Sequence, residues 1–248
     1  MTAEVQRSEY VQAFERGLAV ISSFEGTPQT LSEVAQKLGM SPAAARRYLV
    51  TLTELGYLAH DGSRFSAQAK LLELAQPYFS SHDGLQLAQL ALQQLTKSVH
   101  ETSSLTQLDG TEVINVLSVQ TTQELAIQVV PGLRLPAYCT AMGRAMLSLM
   151  TDEEVTETLA AADLVRHTVK TIVDRDALLE QIRTARRDGY ALAEEEYSPG
   201  IRTMSRAFRF PQGQLAALSV PTPTARESRE AYIARVADPL RNAVERLA

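Results

Sequence analysis

The tightest constraint on this chain lies between Thr30 and Lys70, where three helix punctuation marks and a hairpin signal crowd together. In TLSEVAQKLG, Thr30 and Glu33 have capping-box spacing, in which a hydroxyl and a carboxylate satisfy reciprocal free amides at a helix start. Gly39 supplies the left-handed backbone that closes such a helix. Ser41-Pro42 restarts one, serine being a favoured N-cap and proline fitting the first helical turn. This second helix is predicted over 42–56, with Ala45, Leu49, Leu52 and Leu55 facing inward. YLAHDGSRFS then reads as a strand, an Asp61-Gly62 turn and a returning strand. Two short helices around a glycine turn, followed by a two-stranded hairpin, are the parts of a winged helix-turn-helix.

At 248 residues the chain has room for two domains, and its 45% apolar and 21% charged content is that of an ordinary globular protein. A first helix is predicted over 10–24, with Val11, Phe14, Leu18, Ile21 and Phe24 at three- and four-residue steps. Leu71, Leu74 and Tyr78 mark a linking helix over 67–81, ended by His82-Asp83-Gly84. Beyond it a long helix is predicted over 85–101, then a hairpin turning at Asp109-Gly110 with Val113, Asn115 and Leu117 alternating. ELAIQVV reads as a further strand and CTAMGRAMLSLM as a buried helix. Helices over 152–162 and 174–189 open with acids suited to a helix N-terminus. A hairpin around Gln212-Gly213 and an amphipathic helix over 226–247 close the chain. Helices on a largely antiparallel sheet make an α+β domain.

The chain resembles the IclR family of bacterial regulators over essentially its full length. The N-terminal half carries FERGLAVI and LSEVAQKLGMSPAAARRYLVTLTELGYL; the C-terminal half carries GLRLPAYCTAMGRAML, RRDGYALAEEEYSPGIRTMS and AALSVP. The resemblance implies a winged helix-turn-helix DNA-binding domain over 1–68, a linker helix over 69–83 and a GAF-like α/β effector-binding domain over 84–248. It implies operator DNA and a small-molecule effector as partners, a homodimer or homotetramer, RNA polymerase where the regulator activates, and no cofactor. SFEGTPQTLSEVAQKLGMSPAAARRYLVTLTELGYLAHDGSRF and HETSSLTQLDG look most like the branch controlling aromatic-acid catabolism, which includes protocatechuate and 4-hydroxybenzoate regulators.

The second helix of the motif is expected in the major groove, its N-terminal exposed residues nearest the bases. Those are Ser41, Ala43, Ala44, Arg46, Arg47 and Tyr48. Arginine can grip guanine bidentately or pair with phosphate; Arg47 matches a family contact position, whereas Arg46 falls at a variable one. Arg64 in the wing is expected at a minor groove, and Thr30 presents a helix start to phosphate. Exposed arginines are usually merely solvated, and Tyr48 has a core reading beside its phosphate one. Five basic residues stand against three acids over 30–70, a local footprint within a chain of net charge −5.

In the second half, the resemblance places the effector between the sheet and the start of the TAMG helix. Ala141, Met142 and Gly143 are expected as backbone donors and walls, with Ile201, Thr203 and Ser219 on facing strands. Ser205 shares the Thr203 face by strand alternation, and Leu105 and Ile127 complete the set, although Met142, Leu105 and Ile127 also read as ordinary core. Ala193, Thr203 and Pro221 stand where glyoxylate-sensing members carry an acid, a cysteine and a serine, so a more apolar ligand such as an aromatic carboxylic acid is expected. The alternative is a small aliphatic 2-oxo acid such as glyoxylate or pyruvate. Arg202 is expected to be structural or inter-subunit, and Arg206 to face an interface or solvent.

Catalysis is not expected. His60, His82, His100 and His167 are scattered, and no zinc, hydrolase-elbow or phosphate-loop motif occurs. The run Glu194-Glu195-Glu196 cannot converge on one face and reads as a charged turn. Cys139 reads as a packing cysteine rather than a reactive thiol. As the sole cysteine it forms no internal disulfide, and neither a secretory leader nor a membrane-length apolar run is seen, so a cytoplasmic protein is expected. A scaffold that binds ligand without reading DNA is the remaining rival, separable by the salt dependence of DNA binding.

Overall fold

A computed structural model describes residues 9–81 and 84–247, so the helix stop expected at His82-Asp83 lies outside the described residues. The chain divides into two compact units, Met1–His82 and Asp83–Ala248, which groups the linking segment with the first.

In the first unit, α1 (Gln12–Ser22), α2 (Leu31–Lys37) and α3 (Pro42–Glu54) precede the hairpin β1 (Leu58–His60) and β2 (Phe65–Ala67). The capping box forms: the Thr30 hydroxyl accepts from the Glu33 amide at 3.2 Å, and the Glu33 carboxylate accepts from the Thr30 amide at 2.7 Å. Gly39 takes a φ of 60°, and the Ser41 hydroxyl caps α3 by accepting from Ala44 N at 3.2 Å. Val20, Val34, Leu49, Leu52, Leu58 and Phe65 form the core.

Two expectations about inward faces need correcting. Leu55 is 52% exposed because α3 ends at Glu54; Tyr57 N donates back to Leu52 O while Gly56 takes a left-handed φ of 79°. Val11, Phe14 and Leu18 are exposed, and α1 meets the core through Val20, with Gly17 facing the Tyr48 ring. The hairpin loop spans Asp61–Arg64, the Asp61 carboxylate accepting the amides of Ser63 and Arg64. After the hairpin comes a 3-10 turn (Ala69–Leu71) leading into α4 (Leu72–Ser80), which contains Pro77 and buries none of its residues.

The second unit is built on a six-stranded antiparallel sheet of order β5-β4-β3-β8-β7-β6. Its strands are β3 (Ser103–Asp109), β4 (Glu112–Val119), β5 (Arg134–Pro136), β6 (Ala191–Glu194), β7 (Ile201–Arg209) and β8 (Leu215–Pro223). α5 (Gly84–Val99) and α9 (Arg229–Glu245) cover one face; α6 (Ala141–Leu147) covers the other, backed by α7 (Asp152–Ala161) and α8 (Arg175–Asp188). β7 alternates between them: Met204 N donates to the Tyr232 hydroxyl of α9 at 2.8 Å, whereas Ala207 packs against Ala145 of α6.

ELAIQVV is not a strand. Residues 124–130 lie outside any ladder, and Gln120 Nε2 supplies a side-chain bond to Val129 O at 2.7 Å. Ile127, Gln128 and Val129 line a cavity instead of packing in a sheet core. β6 has no counterpart among the expected elements, because four residues so soon after the helix-ending Gly189 carry almost no period-two signal. Among the described residues no helix is long and apolar enough to cross a membrane.

Candidate functional site

Two features stand out, one in each unit. On α3, Ser41, Ala43, Arg46 and Arg47 are exposed, and Ala44 is half-buried. Among the described residues neither the Arg46 nor the Arg47 guanidinium has a hydrogen bond or ion pair, so both are free for an anionic partner. Arg64 is held back: its Nη1 donates to Pro28 O at 2.9 Å and lies 3.3 Å from the Glu33 carboxylate. That carboxylate also closes the Thr30 cap, whose hydrogen bonds hold it below the usual range. Tyr48 is half-buried, packed on the core of the first unit with Gly17 of α1 beside its ring. Hydrogen bonds from the Arg64 and Ser63 amides tie the wing tip together and hold the Asp61 carboxyl down at about 2.

In the second unit a cavity of about 260 Å³ opens between the sheet and the start of α6. Its floor comes from paired strands: Thr203 of β7 lies opposite Ala193 on β6 and Pro221 on β8, and Ser219 of β8 opposite Ser104 of β3. Ala141 and Met142 begin α6 over this floor, and Ile127, Val129, Leu133, Leu135 and Cys139 wall it. The Thr140 hydroxyl caps α6 by accepting from Gly143 N at 3.3 Å, which leaves the Ala141 and Met142 amides without an intrahelical acceptor.

Six of the nine expected effector residues therefore line the cavity: Ile127, Ala141, Met142, Ile201, Thr203 and Ser219. Three do not. Leu105 is fully buried on the other face of β3, where Ser104 takes the lining position. Ser205 lies one pair further along β7 and spends its hydroxyl on Leu218 O at 2.8 Å. Gly143 packs so closely that a β-carbon there would stand 2.2 Å from Ala137 O. Its role is close approach, not contact with a ligand.

The glutamate run leads from the end of β6 into a turn, and Glu195 and Glu196 of that charged turn also wall the cavity. Glu194 pairs with Arg202, Glu195 with Lys170, and Glu196 with Arg144 in a bidentate contact at 2.6 and 2.5 Å. Arg144 and Glu196 are both buried, so the pair fastens the 195–198 loop to α6 beside the cavity. Arg202 lies on the α9 face, its guanidinium 5.7 Å from the Tyr232 ring centre, in keeping with the structural role expected. Cys139 is buried, and desolvation pushes its thiol up to about 11. Among the described residues no Lys, Arg or His lines the cavity, whereas Glu195 and Glu196 do. Among the described residues no group of three or more His, Cys, Asp or Glu could hold a metal ion.

Comparison with known proteins adds two family matches. Residues 13–62 match the IclR helix-turn-helix domain, and residues 76–248 match the bacterial transcriptional regulator IclR C-terminal domain. A Pca regulon regulatory protein of Pseudomonas putida is 33% identical over 89% of this chain and 77% of its own length. A p-hydroxybenzoate hydroxylase transcriptional activator of Acinetobacter baylyi is 32% identical over 98% of this chain and 93% of its own. A crystal structure from Rhodococcus sp. RHA1 has TM-score 0.83 at 37% identity, covering 96% of this chain and 97% of that one.

Proposed function

This chain belongs to the IclR family of bacterial transcriptional regulators, and on that premise we propose that it controls a catabolic operon by sensing an aromatic carboxylic acid in the α6 cavity. The observation that carries the reading is the cavity itself. It is mostly apolar, sits just below the pocket range of about 300–1,000 Å³, and suits a single ring better than a large ligand. A carboxylate there meets the Ala141 and Met142 amides and the hydroxyls of Thr203, Ser104 and Ser219 rather than a cation. The names of two relatives, attached to the Pca regulon and to p-hydroxybenzoate hydroxylase, support the same class.

α3 enters the major groove, with Arg46 and Arg47 contacting bases or phosphates beside Ser41, Ala43 and Ala44. Thr30, Tyr48 and Arg64 are secondary contacts, Arg64 once it exchanges Glu33 for phosphate. The protein acts in the cytoplasm as a homodimer or homotetramer, so that two α3 helices meet two half-sites, with RNA polymerase as a partner where it activates. Ligand alters DNA affinity by favouring one placement of the α3 helices over another.

A thermal-shift screen tests the ligand class. Benzoate, its hydroxylated derivatives, glyoxylate and pyruvate are compared, since a specific binder stabilises the folded state by mass action. A saturable rise in melting temperature with aromatic acids alone is the expected outcome. A rise only with glyoxylate or pyruvate would contradict it.

A further inference from the structure

Glu101 lies between α5 and β3 and is 1% exposed. Its Oε1 accepts from the Thr222 hydroxyl at 2.6 Å and pairs with Arg226 Nε at 2.9 Å, with Arg235 Nη2 at 3.5 Å. Its Oε2 is buried without a hydrogen-bond partner among the described residues. A buried carboxylate depends on opposite charge and hydrogen bonds for its tolerance, and here one oxygen goes without. The preceding residue is unusual too. His100 ends α5 with a φ of 54°, a left-handed conformation that glycine usually supplies at helix ends. Two locally costly features therefore meet at the α5–β3 junction, and such features persist where their surroundings over-determine them, often at switch regions.

The surroundings here include a wall of the cavity. Between β4 and β5, residues 120–133 form neither helix nor strand, and Ile127, Gln128, Val129 and Leu133 of this strap line the cavity. Two contacts join the strap to the junction. Arg226, the cation nearest Glu101, also donates from Nη2 to Leu125 O at 2.6 Å, two residues before Ile127. The Thr121 hydroxyl donates to His100 O at 3.0 Å. One guanidinium thus spans a strap carbonyl and the buried carboxylate. On the far side of the cavity, the buried Arg144–Glu196 pair holds the 195–198 loop to α6.

The junction in turn bears on α5 (Gly84–Val99), which opens the second unit and so follows the first unit along the chain. Arg235, beside Glu101, donates to Val99 O in the last turn of that helix.

We infer that Arg226 is the residue through which cavity occupancy reaches α5: a ligand shifts the strap at Leu125, Arg226 moves with it, and the pairing of Glu101 at the helix end changes. This rests on the cavity being the effector site, as read above, but not on the class of acid that fills it. Coupling of this kind requires an element with two arrangements that both sites bias, and the half-satisfied junction supplies it.

Hydrogen–deuterium exchange of the full-length protein tests the relay, with saturating benzoate, 4-hydroxybenzoate, glyoxylate or pyruvate and without any of them. In the wild type, an acid that slows exchange over 121–131 should also change it over 96–102 by about fivefold or more, the lower end of ordinary coupling between sites. In Arg226→Ala the strap should still respond, and the affinity for that acid should stay within about threefold, while the response over 96–102 disappears. Arg226→Lys should behave alike. It keeps a charge for Glu101 without the planar fork that spans both partners, and so carries the test where Arg226→Ala fails to fold.

A wild-type strap that responds with no change over 96–102 overturns the relay. So does a response over 96–102 that survives in both variants. Those outcomes leave the effector reading standing. A relay seen only with glyoxylate or pyruvate supports this inference and removes the aromatic one. A strap indifferent to all four acids removes the effector reading and the relay together.

Discussion

Cys139 shows how an ordinary residue becomes informative through its surroundings. It lines the cavity, and burial moves its thiol from the ordinary 9.0 to about 11. A raised thiol pKa means that the folded state holds the proton longer, so stability falls as pH climbs from about 9 to 11. Labelling by a thiol reagent should be much slower in the native protein than in urea at pH 8, and slower still with ligand bound. Native labelling at the unfolded rate, indifferent to ligand, would contradict the placement. At this scale the sequence is legible where a residue acts on near neighbours. Thr30, Glu33, Gly39 and Ser41 do what their spacing predicts, because a cap needs only three or four residues. Arg144 and Glu196 meet across the fold, with nothing local to announce them. Strand alternation gives the face of Ser205, yet not how far along β7 the cavity reaches, and so it included one serine too many.

At the scale of elements, α6 decides where the cavity lies. Seven residues, all buried, are drawn against the segment leading into the helix at Gly143, where a β-carbon would strike the Ala137 backbone. Gly143→Ala should destabilise the second unit by about 1–3 kcal/mol, read as a lower denaturation midpoint. Because the helix start must lift from the floor, aromatic-acid affinity should fall as well. An unchanged midpoint would show that α6 is not held as tightly as the contact distances indicate. Most helices and both long hairpins were legible in periodicity and turn chemistry. ELAIQVV and β6 were not. In the first, residues 127–129 line a cavity instead of joining a ladder; in the second, a four-residue edge strand is recognisable only once β7 pairs with it.

For the whole molecule, the division of labour follows from two independent facts. One unit exposes two unpaired arginines on a capped helix, and the other encloses a cavity sized for a single ring. The order of these two units along the chain was legible from motif order alone. The exposure of Phe14, Leu72 and Leu74 was not, because periodicity marks an apolar face without saying what it meets. The central claim is that occupancy of the cavity governs DNA binding. It is tested by measuring, through fluorescence anisotropy at fixed salt, the affinity for a duplex selected by the protein from a random pool, with and without a saturating concentration of the aromatic acid that raises its melting temperature most. A change of about 5–150-fold is predicted, the usual span of coupling between two sites, together with loss of affinity in the double variant Arg46→Ala, Arg47→Ala. Identical affinities with the cavity full and empty would contradict it.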